Sequence, residues 1–271
     1  MNDLQNLHTH TNYCDGKDSP EEMIAHALSK GFDSLGFSGH SYMFFSPSHS
    51  MSVDGTENYK KEIAELKKKY DGKIDLFLGL EFDMYSVVDL SGYDYLIGSL
   101  HYFNIEDEYV GFDRSAEEVK RVIDVYFGGD GMAFAKKYYE KICELPSYGK
   151  FDILGHFDLI TKNLEKARLF DAESAEYKKA AAEAIDSLSG RIPLFEVNTG
   201  AISRGYRTSP YPTLDLIKEF KARGFGAIIS SDCHDGNFLD CGFENARELL
   251  RAGGFTERYI LTKDGFRAVA I

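Results

Sequence analysis

Short apolar runs alternate along the chain with segments of helical periodicity. Seven of these runs are dense in apolar residues from end to end, which is typical of parallel strands buried on both faces. They are NLHTH, SLGFSGH, DLFLGLEFD, DYLIGSLH, FDILGHFD, PLFEVNTG and GAIISSDCH. The pattern therefore predicts seven strands in one parallel sheet or barrel.

The segments between these runs carry helix start and stop signals. SPEE at 19–22 offers a serine cap, a proline in the first turn and a capping-box glutamate, and Gly31 is a plausible stop. A second helix is predicted to open at Ser115, and a third to end at Gly224. Strands that alternate with helices predict βα units, and hence an α/β fold.

Two further segments stand apart from this alternation. The longest insertion, roughly residues 103–150, separates the fourth and fifth predicted strands; its pattern is helical, and it is placed to shape an entrance. The end of the chain, RYILTKDGFRAV, predicts a short hairpin with a turn at KDG. We expect residues 1–271 to form one domain, a length that is ordinary for an α/β barrel.

Composition narrows the class of protein. Hydrophobic residues make up 43% of the 271 residues and charged residues 28%, which is enough for a sizeable core. The formal net charge of −13 argues against nucleic acid as a partner, because such surfaces are normally basic. No apolar stretch is long enough to span a membrane, and no signal peptide is recognisable. With four cysteines and no CxxC pair, we expect free thiols and a cytoplasmic protein.

Polar residues gather where the predicted strands end. His8 and His10 are two residues apart at the end of the first strand, so their side chains should point to the same side. Six of the eight histidines lie at such ends. In chain order the strand-end residues are His8 and His10, His40, Glu81 with Asp83 beyond it, His101, His156, Glu196 and Asn198, and Asp232 and His234. In α/β barrels this is the face that carries the active site.

So many ionisable groups on one rim predict a metal site. Burying them side by side costs free energy unless they have bonding partners. Cations are such partners, because they bind neutral imidazoles and ionised carboxylates. The six histidines, together with Glu81, Asp232 and Asp15 in the turn after the first strand, make nine candidate donors, more than the four that a single tetrahedral metal needs. We therefore expect two or three divalent ions that share a bridging carboxylate. Mixed imidazole and carboxylate ligands suit Zn, Mn or Fe alike.

The motifs LHTHTNYCDG, SGHS, GLEFD, GSLHY, LGHFDL, EVNTGAISRG and SSDCH, taken together, resemble those of the PHP (polymerase and histidinol phosphatase) family. The likeness is greatest to its monofunctional histidinol-phosphatase branch. This resemblance runs from residue 7 to residue 234. It implies a distorted (β/α)7 barrel and a trinuclear metal site that hydrolyses phosphate esters.

Carried over position by position, the resemblance implies three sets of ligands. They are His8, His10, Glu81 and Asp232 for the first metal; His101 and His156, with Glu81 as the bridge, for the second; and Asp15, His40 and His234 for the third. Some family members carry a histidine where Asp15 stands. We expect the oxygen ligand to make the third site harder and more tolerant of Mn or Fe.

The resemblance also suggests phosphate contacts. Arg204, after the sixth predicted strand, is the strongest candidate because a guanidinium is a planar partner for phosphate; Arg207 and Lys162 are weaker ones. Asn198 orients a ligand or holds its loop, two alternatives that stay open, and Glu196 is expected to support a ligand rather than bind metal. The proton for the leaving group comes from the Asp232/His234 pair or from bound water.

L-histidinol phosphate is the leading substrate. It carries cationic groups, and Asp83 and the carboxylates of NIEDE are candidates to receive them. The alternatives are another phosphoesterase of this family, acting on a sugar phosphate, a nucleotide or an oligonucleotide end, and a metal-binding regulatory protein without catalysis. A module attached to a polymerase is a further alternative, which the complete ligand set argues against. We expect a monomer or small homo-oligomer that acts on a small-molecule phosphate ester and binds neither membrane nor nucleic acid.

Overall fold

The computed structural model describes residues 3–271. Its strands, in chain order, are β1 (Gln5–Asn6), β2 (Ser34–Phe37), β3 (Asp75–Asp83), β4 (Tyr95–Ser99), β5 (Tyr102–Ile105), β6 (Glu108–Gly111), β7 (Ile153–Leu154), β8 (Leu194–Asn198), β9 (Gly226–Ser230), β10 (Glu257–Thr262) and β11 (Gly265–Ala270). Within these residues one seven-stranded sheet has the order β1-β2-β3-β4-β7-β8-β9, and all its neighbours are parallel. Each barrel strand falls within one of the seven predicted runs or, for Gln5, one residue before it.

The sheet curls until its two outer strands meet. Thr9, just after β1, forms a parallel bridge with Cys233, just after β9. The backbone N–H of His10 donates to the carbonyl of Cys233 at 2.8 Å, and the N–H of Cys233 donates to the carbonyl of His8 at 3.0 Å. The sheet is therefore a nearly closed barrel, and the predicted (β/α)7 fold is confirmed.

Helices cover the outside of this barrel. They are α1 (Pro20–Ser29), α2 (Val53–Lys69), α3 (Ala116–Tyr126), α4 (Gly131–Ile142), α5 (Ala175–Leu188), α6 (Gly200–Ser203), α7 (Leu214–Ala222) and α8 (Phe243–Ala252). The predicted start signals are confirmed, since Ser19 and Ser115 each close a capping box at the first turn of α1 and α3. The predicted stops at Gly31 and Gly224 are glycines with φ of 74° and 78°, a conformation that other residues rarely adopt.

The 103–150 insertion, which its pattern predicts to be helical, is helical only in its second part. It opens with an antiparallel hairpin, in which β5 pairs with β6 and Tyr102 lies opposite Gly111. The turn is two residues long, and Glu106 and Asp107 both have positive φ. Only then do α3 and α4 follow. The hairpin returns the chain to the barrel rim directly beside His101.

The lower half of the barrel is filled by Tyr95, which is 1% exposed. Its hydroxyl donates to the carbonyls of Leu7 and Phe37, the latter at 3.2 Å, and so ties three strands together. Gly36 and Gly79 lie against this ring, where any Cβ would overlap it. The Tyr95 ring thus fills the space inside the sheet that side chains at Gly36 and Gly79 would otherwise occupy.

The predicted C-terminal hairpin is confirmed as β10 and β11, which pair antiparallel. It lies against the opposite end of the barrel from the predicted ligands. Gln5 anchors it, because its side-chain amide accepts from the N–H of Leu261 at 2.7 Å and donates to the Leu261 carbonyl at 2.8 Å. Leu261 packs in the same buried cluster as Tyr95. The hairpin therefore closes the floor and leaves the strand-end rim as the open face.

Candidate metal centre

The site starts at the joint between β1 and β9. His8 and His10 flank Thr9 on extended backbone, so both imidazoles point into the barrel mouth, with ring centroids 5.2 Å apart. Asp232 approaches from the facing strand, and its Oδ1 lies 3.2 Å from Nε2 of His10 and 3.6 Å from Nε2 of His8. Cys233 points elsewhere, since its Sγ donates to the Asp235 carbonyl.

All nine predicted ligands lie in one continuous cluster. It consists of four overlapping groups, and within each group one donor atom per residue lies within 4.8 Å of the others. The groups are His10, Asp15, His40 and His234; His8, Glu81 and His156; His8, His10 and Asp232; and His40, Asp83 and His101. The barrel thus brings together side chains that are up to 226 positions apart in sequence, from His8 to His234.

Glu81 occupies the centre of this cluster. It is fully buried at the end of β3, and its two carboxylate oxygens face different sets of imidazoles. Oε2 faces His8, His10 and His40, at 3.3, 3.4 and 3.0 Å from the nearest ring nitrogen of each. Oε1 faces His156 and His101, at 3.0 and 3.7 Å. A carboxylate with separate imidazoles on its two oxygens has the arrangement that a bridging ligand requires.

The donor atoms fit metal ions because many of them are buried without a hydrogen bond, although they lie close to one another. Buried polar atoms in folded proteins are almost always hydrogen-bonded, and a group of exceptions indicates an ion or another missing ligand. Among the described residues, six such atoms converge on the cluster: His8 Nε2, His10 Nε2, Asp15 Oδ1, His40 Nδ1, Glu81 Oε2 and Asp83 Oδ2. These are imidazole nitrogens and carboxylate oxygens, the donors of Zn, Mn and Fe sites.

Two further carboxylates orient the imidazoles from behind. Glu196 Oε2 lies 2.9 Å from Nδ1 of His8, which leaves the Nε2 of that ring for the centre. The other Glu196 oxygen accepts the backbone N–H of His156 at 2.6 Å. Asp83 Oδ1 lies 2.6 Å from Nδ1 of His101. Carboxylates in this position fix the tautomer and strengthen the imidazole as a ligand.

Asp83 lies inside the donor cluster and also lines the pocket at its mouth. Its role as a receptor for a cationic group of the substrate stays a prediction, and its side chain is fully buried between His101 and His40, 3.3 Å from the latter. The signal for its place in the cluster was present in the sequence. Asp83 stands two residues after Glu81 in one strand, so both side chains point to the same side.

The electrostatics of the cluster couple its acids and imidazoles. Burial opposes the ionised form of Glu81, but His40 and His8 outweigh it and lower the pKa of this carboxyl well below its usual range. Burial likewise opposes a charged His8, yet Glu196 and Glu81 raise its pKa well above the usual value. For His10, burial and the neighbouring imidazoles act together and lower the pKa to about 3. His10 is thus neutral, as a metal ligand has to be, whereas a metal ion bound by His8 would compete with a proton.

This competition predicts that metal binding releases protons and strengthens as the pH rises. The raised pKa of His8, and that of His101 at about 9, mean that both rings hold protons at neutral pH until a cation displaces them. Calorimetric titration of metal-free protein with Zn²⁺ at about pH 6 and about pH 8, in buffers of different ionisation enthalpy, measures both effects. Equal affinity at the two pH values with no proton release would contradict the prediction.

Arg204 lies directly beside the cluster. It ends α6, a single turn that follows β8, and its Nη2 lies 2.8 Å from Asp232 Oδ2. Its Nη1 donates to the carbonyl of Asp232 at 3.0 Å and lies 3.0 Å from Nδ1 of His234. Gly200 permits this approach, because a Cβ there would collide with the Ser231 carbonyl. A guanidinium is therefore fixed next to two of the predicted ligands.

The other two predicted phosphate contacts, Lys162 and Arg207, have different surroundings. Lys162 is buried, pairs with Asp113 at the rim, and lies 4.4 Å from the centroid of the Tyr206 ring. Arg207 donates to the hydroxyl oxygen of Thr161, the residue before Lys162.

Asn198 is fully buried, and both ends of its amide are used inside the protein. It donates to Glu196 at 2.9 Å and accepts from the N–H of Gly200 at 2.9 Å. These contacts support the loop-holding alternative for Asn198.

The cluster opens into a small pocket at the rim, of about 70 Å³. Metal-ligand candidates form its floor, and the loop after β2 and the β5–β6 hairpin supply its walls. The lining residues are Asp15, His40, Met43, His49, Asp83, His101, Tyr102, Gly111, Asp113 and Arg114. His49, which the sequence pattern indicates as a plain loop residue after β2, lines this mouth and contacts Arg114 at 3.4 Å.

Fold and donor cluster together define an α/β barrel with residues able to hold metal ions at the carboxyl ends of its strands. Comparison with known protein families then identifies the family. The PHP domain family model matches residues 6–200, which contain seven of the nine predicted ligands. The chain belongs to the PHP domain family.

Several named proteins are similar to the chain over nearly its whole length. A Deinococcus radiodurans protein named "Probable histidinol-phosphatase" is 28% identical, over 94% of this chain and 96% of its own. The histidinol-phosphatase of Bacillus subtilis is 24% identical, over 88% of this chain and 96% of its own. The structure of histidinol phosphate phosphatase from Lactococcus lactis, complexed with Zn, L-histidinol and phosphate, has a TM-score of 0.75 at 20% identity, and the match covers 98% of this chain and 99% of that one. This last likeness is one of fold.

In residues 3–271 no helix has the length and apolar character needed to cross a membrane.

Proposed function

We propose that the chain hydrolyses a phosphate monoester, L-histidinol phosphate, to L-histidinol and inorganic phosphate. The observation that carries the proposal is the convergence, in the cluster centred on Glu81 at the strand-end rim, of six imidazole and carboxylate atoms that are buried without a hydrogen bond. Family membership and two similar proteins named as histidinol-phosphatases support the choice of substrate.

Two or three divalent ions, Zn, Mn or Fe, are the proposed cofactors. Glu81 is central to them, because each of its oxygens faces a different set of imidazoles. The remaining holders are His8, His10, Asp15, His40, His101, His156, Asp232 and His234. When bound, such ions neutralise phosphate oxygens as Lewis acids and lower the pKa of water.

The chain's own residues bind and orient the substrate in this proposal. Arg204 offers a guanidinium whose partners, Asp232 and His234, belong to the cluster, so a phosphate held there lies against the ligands. Lys162 adds a second positive charge at the rim. The leaving oxygen takes its proton from bound water or from the Asp232/His234 pair, where about a quarter of the His234 side chain is exposed. We further propose that the enzyme works in the cytoplasm as a monomer or small homo-oligomer.

A panel of phosphate monoesters tests the proposal. Metal-free protein is reloaded separately with Zn²⁺, Mn²⁺ or Fe²⁺, and phosphate release is measured from L-histidinol phosphate, p-nitrophenyl phosphate, a sugar phosphate, a nucleoside monophosphate and a 3′-phosphorylated oligonucleotide. We expect the highest kcat/KM for L-histidinol phosphate. A higher value for any other ester would replace the substrate, and no release under any metal would overturn the proposal.

A further inference from the structure

The β5–β6 hairpin delivers one carboxylate, that of Asp113, to the rim of the metal cluster. The backbone N–H of the preceding residue, Phe112, donates to the carbonyl of His101 at 3.1 Å. The Phe112 side chain is buried, with its ring 4.7 Å from that of Phe103 and 6.0 Å from that of Phe134. The insertion is therefore anchored next to a predicted metal ligand.

The residue after Asp113 is anchored as well. The carbonyl of Arg114 accepts a hydrogen bond from Nδ2 of Asn163 at 2.9 Å, and Asn163 is buried. Asp113 thus lies between two residues whose backbones are tied to the barrel. A side chain on so short and doubly held a segment has a fixed position, which a specificity contact requires.

Asp113 faces the pocket as an ionised group. It lines the mouth together with His40 and His101, and a third of its side chain is accessible. Its Oδ1 pairs with the ammonium of Lys162. Burial opposes its ionisation, but Lys162 and His101 outweigh this effect and lower its pKa to about 2.

A carboxylate is unexpected in the lining of a pocket that receives phosphate, because two negative groups repel each other. It becomes favourable when the ester also carries a cation close to its phosphate. In L-histidinol phosphate the carbon that bears the ammonium is bonded to the carbon that bears the ester oxygen. The substrate therefore carries a positive and a negative group side by side. The paired side chains of Asp113 and Lys162 offer a negative and a positive group, so each substrate group can face a residue of opposite charge.

We propose that Asp113 binds the substrate ammonium while Lys162 faces its phosphate, so that the pair selects amino-alcohol phosphates; this inference rests on the proposed function. Asp113 is then a specificity-determining residue contributed by the insertion. A role confined to holding Lys162 is the rival explanation, and it predicts no discrimination between esters with and without an amine.

The test compares L-histidinol phosphate with 3-(imidazol-4-yl)propyl phosphate, which lacks only the amino group. Wild-type metal-loaded enzyme should prefer the amine-bearing ester in kcat/KM. In the Asp113→Asn variant this preference should fall about 10- to 100-fold, chiefly through a higher KM for L-histidinol phosphate, because a hydrogen bond between charged groups is lost. Lys162→Met should instead lower the kcat/KM of both esters alike.

Asp107→Asn is the matched control, since Asp107 lies at the exposed turn of the same hairpin and does not line the pocket. Its preference should equal that of the wild type. If Asp113→Asn keeps the preference for the amine-bearing ester, the inference is overturned. It is also overturned if the wild-type enzyme hydrolyses both esters equally well. In either case the proposed function stands. A wild-type enzyme that hydrolyses neither overturns the proposed function and this inference with it.

Discussion

Glu81→Gln should lower turnover of L-histidinol phosphate by more than about 100-fold and reduce the metal content of the purified protein. Even residues that only orient metal ligands cost about 10–100-fold when they are changed, and Glu81 lies at the centre of the cluster. Its carboxylate approaches five imidazoles at 3.0–3.7 Å. Glutamine fills the same volume, but it has one acceptor oxygen and no charge, so one set of imidazoles faces an amide N–H₂.

Elemental analysis and steady-state kinetics on the same preparation measure the two effects. Glu65→Gln is the control, because Glu65 is exposed on α2 and the substitution removes the same charge. Circular dichroism should show that Glu81→Gln retains the barrel, since the core around Tyr95 lies at the other end of the strands. Normal activity and metal content in this variant would refute the bridging role of Glu81 and the mechanism built on it.

The barrel and the position of its site could be predicted because both follow from local rules. Seven apolar runs determine seven parallel strands, and polar residues directly after such runs must gather on one rim. His8 and His10 illustrate the second rule, since a spacing of two on extended chain leaves both rings on one side. The roles carried over for individual ligands depend on the family resemblance, and for these residues they remain predictions.

The features that could not be predicted from the sequence depend on long-range contacts or on weak turn signals. The hairpin at Tyr102–Gly111 turns through Glu106 and Asp107, and a Glu-Asp pair is a poor signal compared with Asn-Gly, which readily adopts positive φ. The Lys162–Asp113 pair joins two segments 49 residues apart, and no local pattern indicates it. Asn198 shows the converse, because a polar strand-end residue can be used entirely inside the protein.

Arg204→Ala should lower kcat/KM for L-histidinol phosphate by about 100- to 1,000-fold, which is the usual effect of removing one charged stabiliser of a phosphoryl or acyl transition state. The guanidinium lies 2.8 Å from Asp232 and 3.0 Å from His234, so its loss removes positive charge at the place where we propose that phosphate binds. Arg204→Lys should recover only part of this loss, because lysine keeps the charge but not the planar fork.

Two measurements separate phosphate binding from a merely structural contact of Arg204 with Asp232. If the guanidinium binds phosphate, inorganic phosphate should inhibit Arg204→Ala at least about 10-fold more weakly than the wild type, while the metal content stays unchanged. Asp232 retains its positions beside His8 and His10, which is why the metals should remain. Arg168→Ala, at an exposed arginine, is the control for loss of charge. Unchanged phosphate inhibition together with loss of metal would instead assign Arg204 to holding Asp232, and the phosphate would then depend on Lys162 and the metal ions for its positive partners.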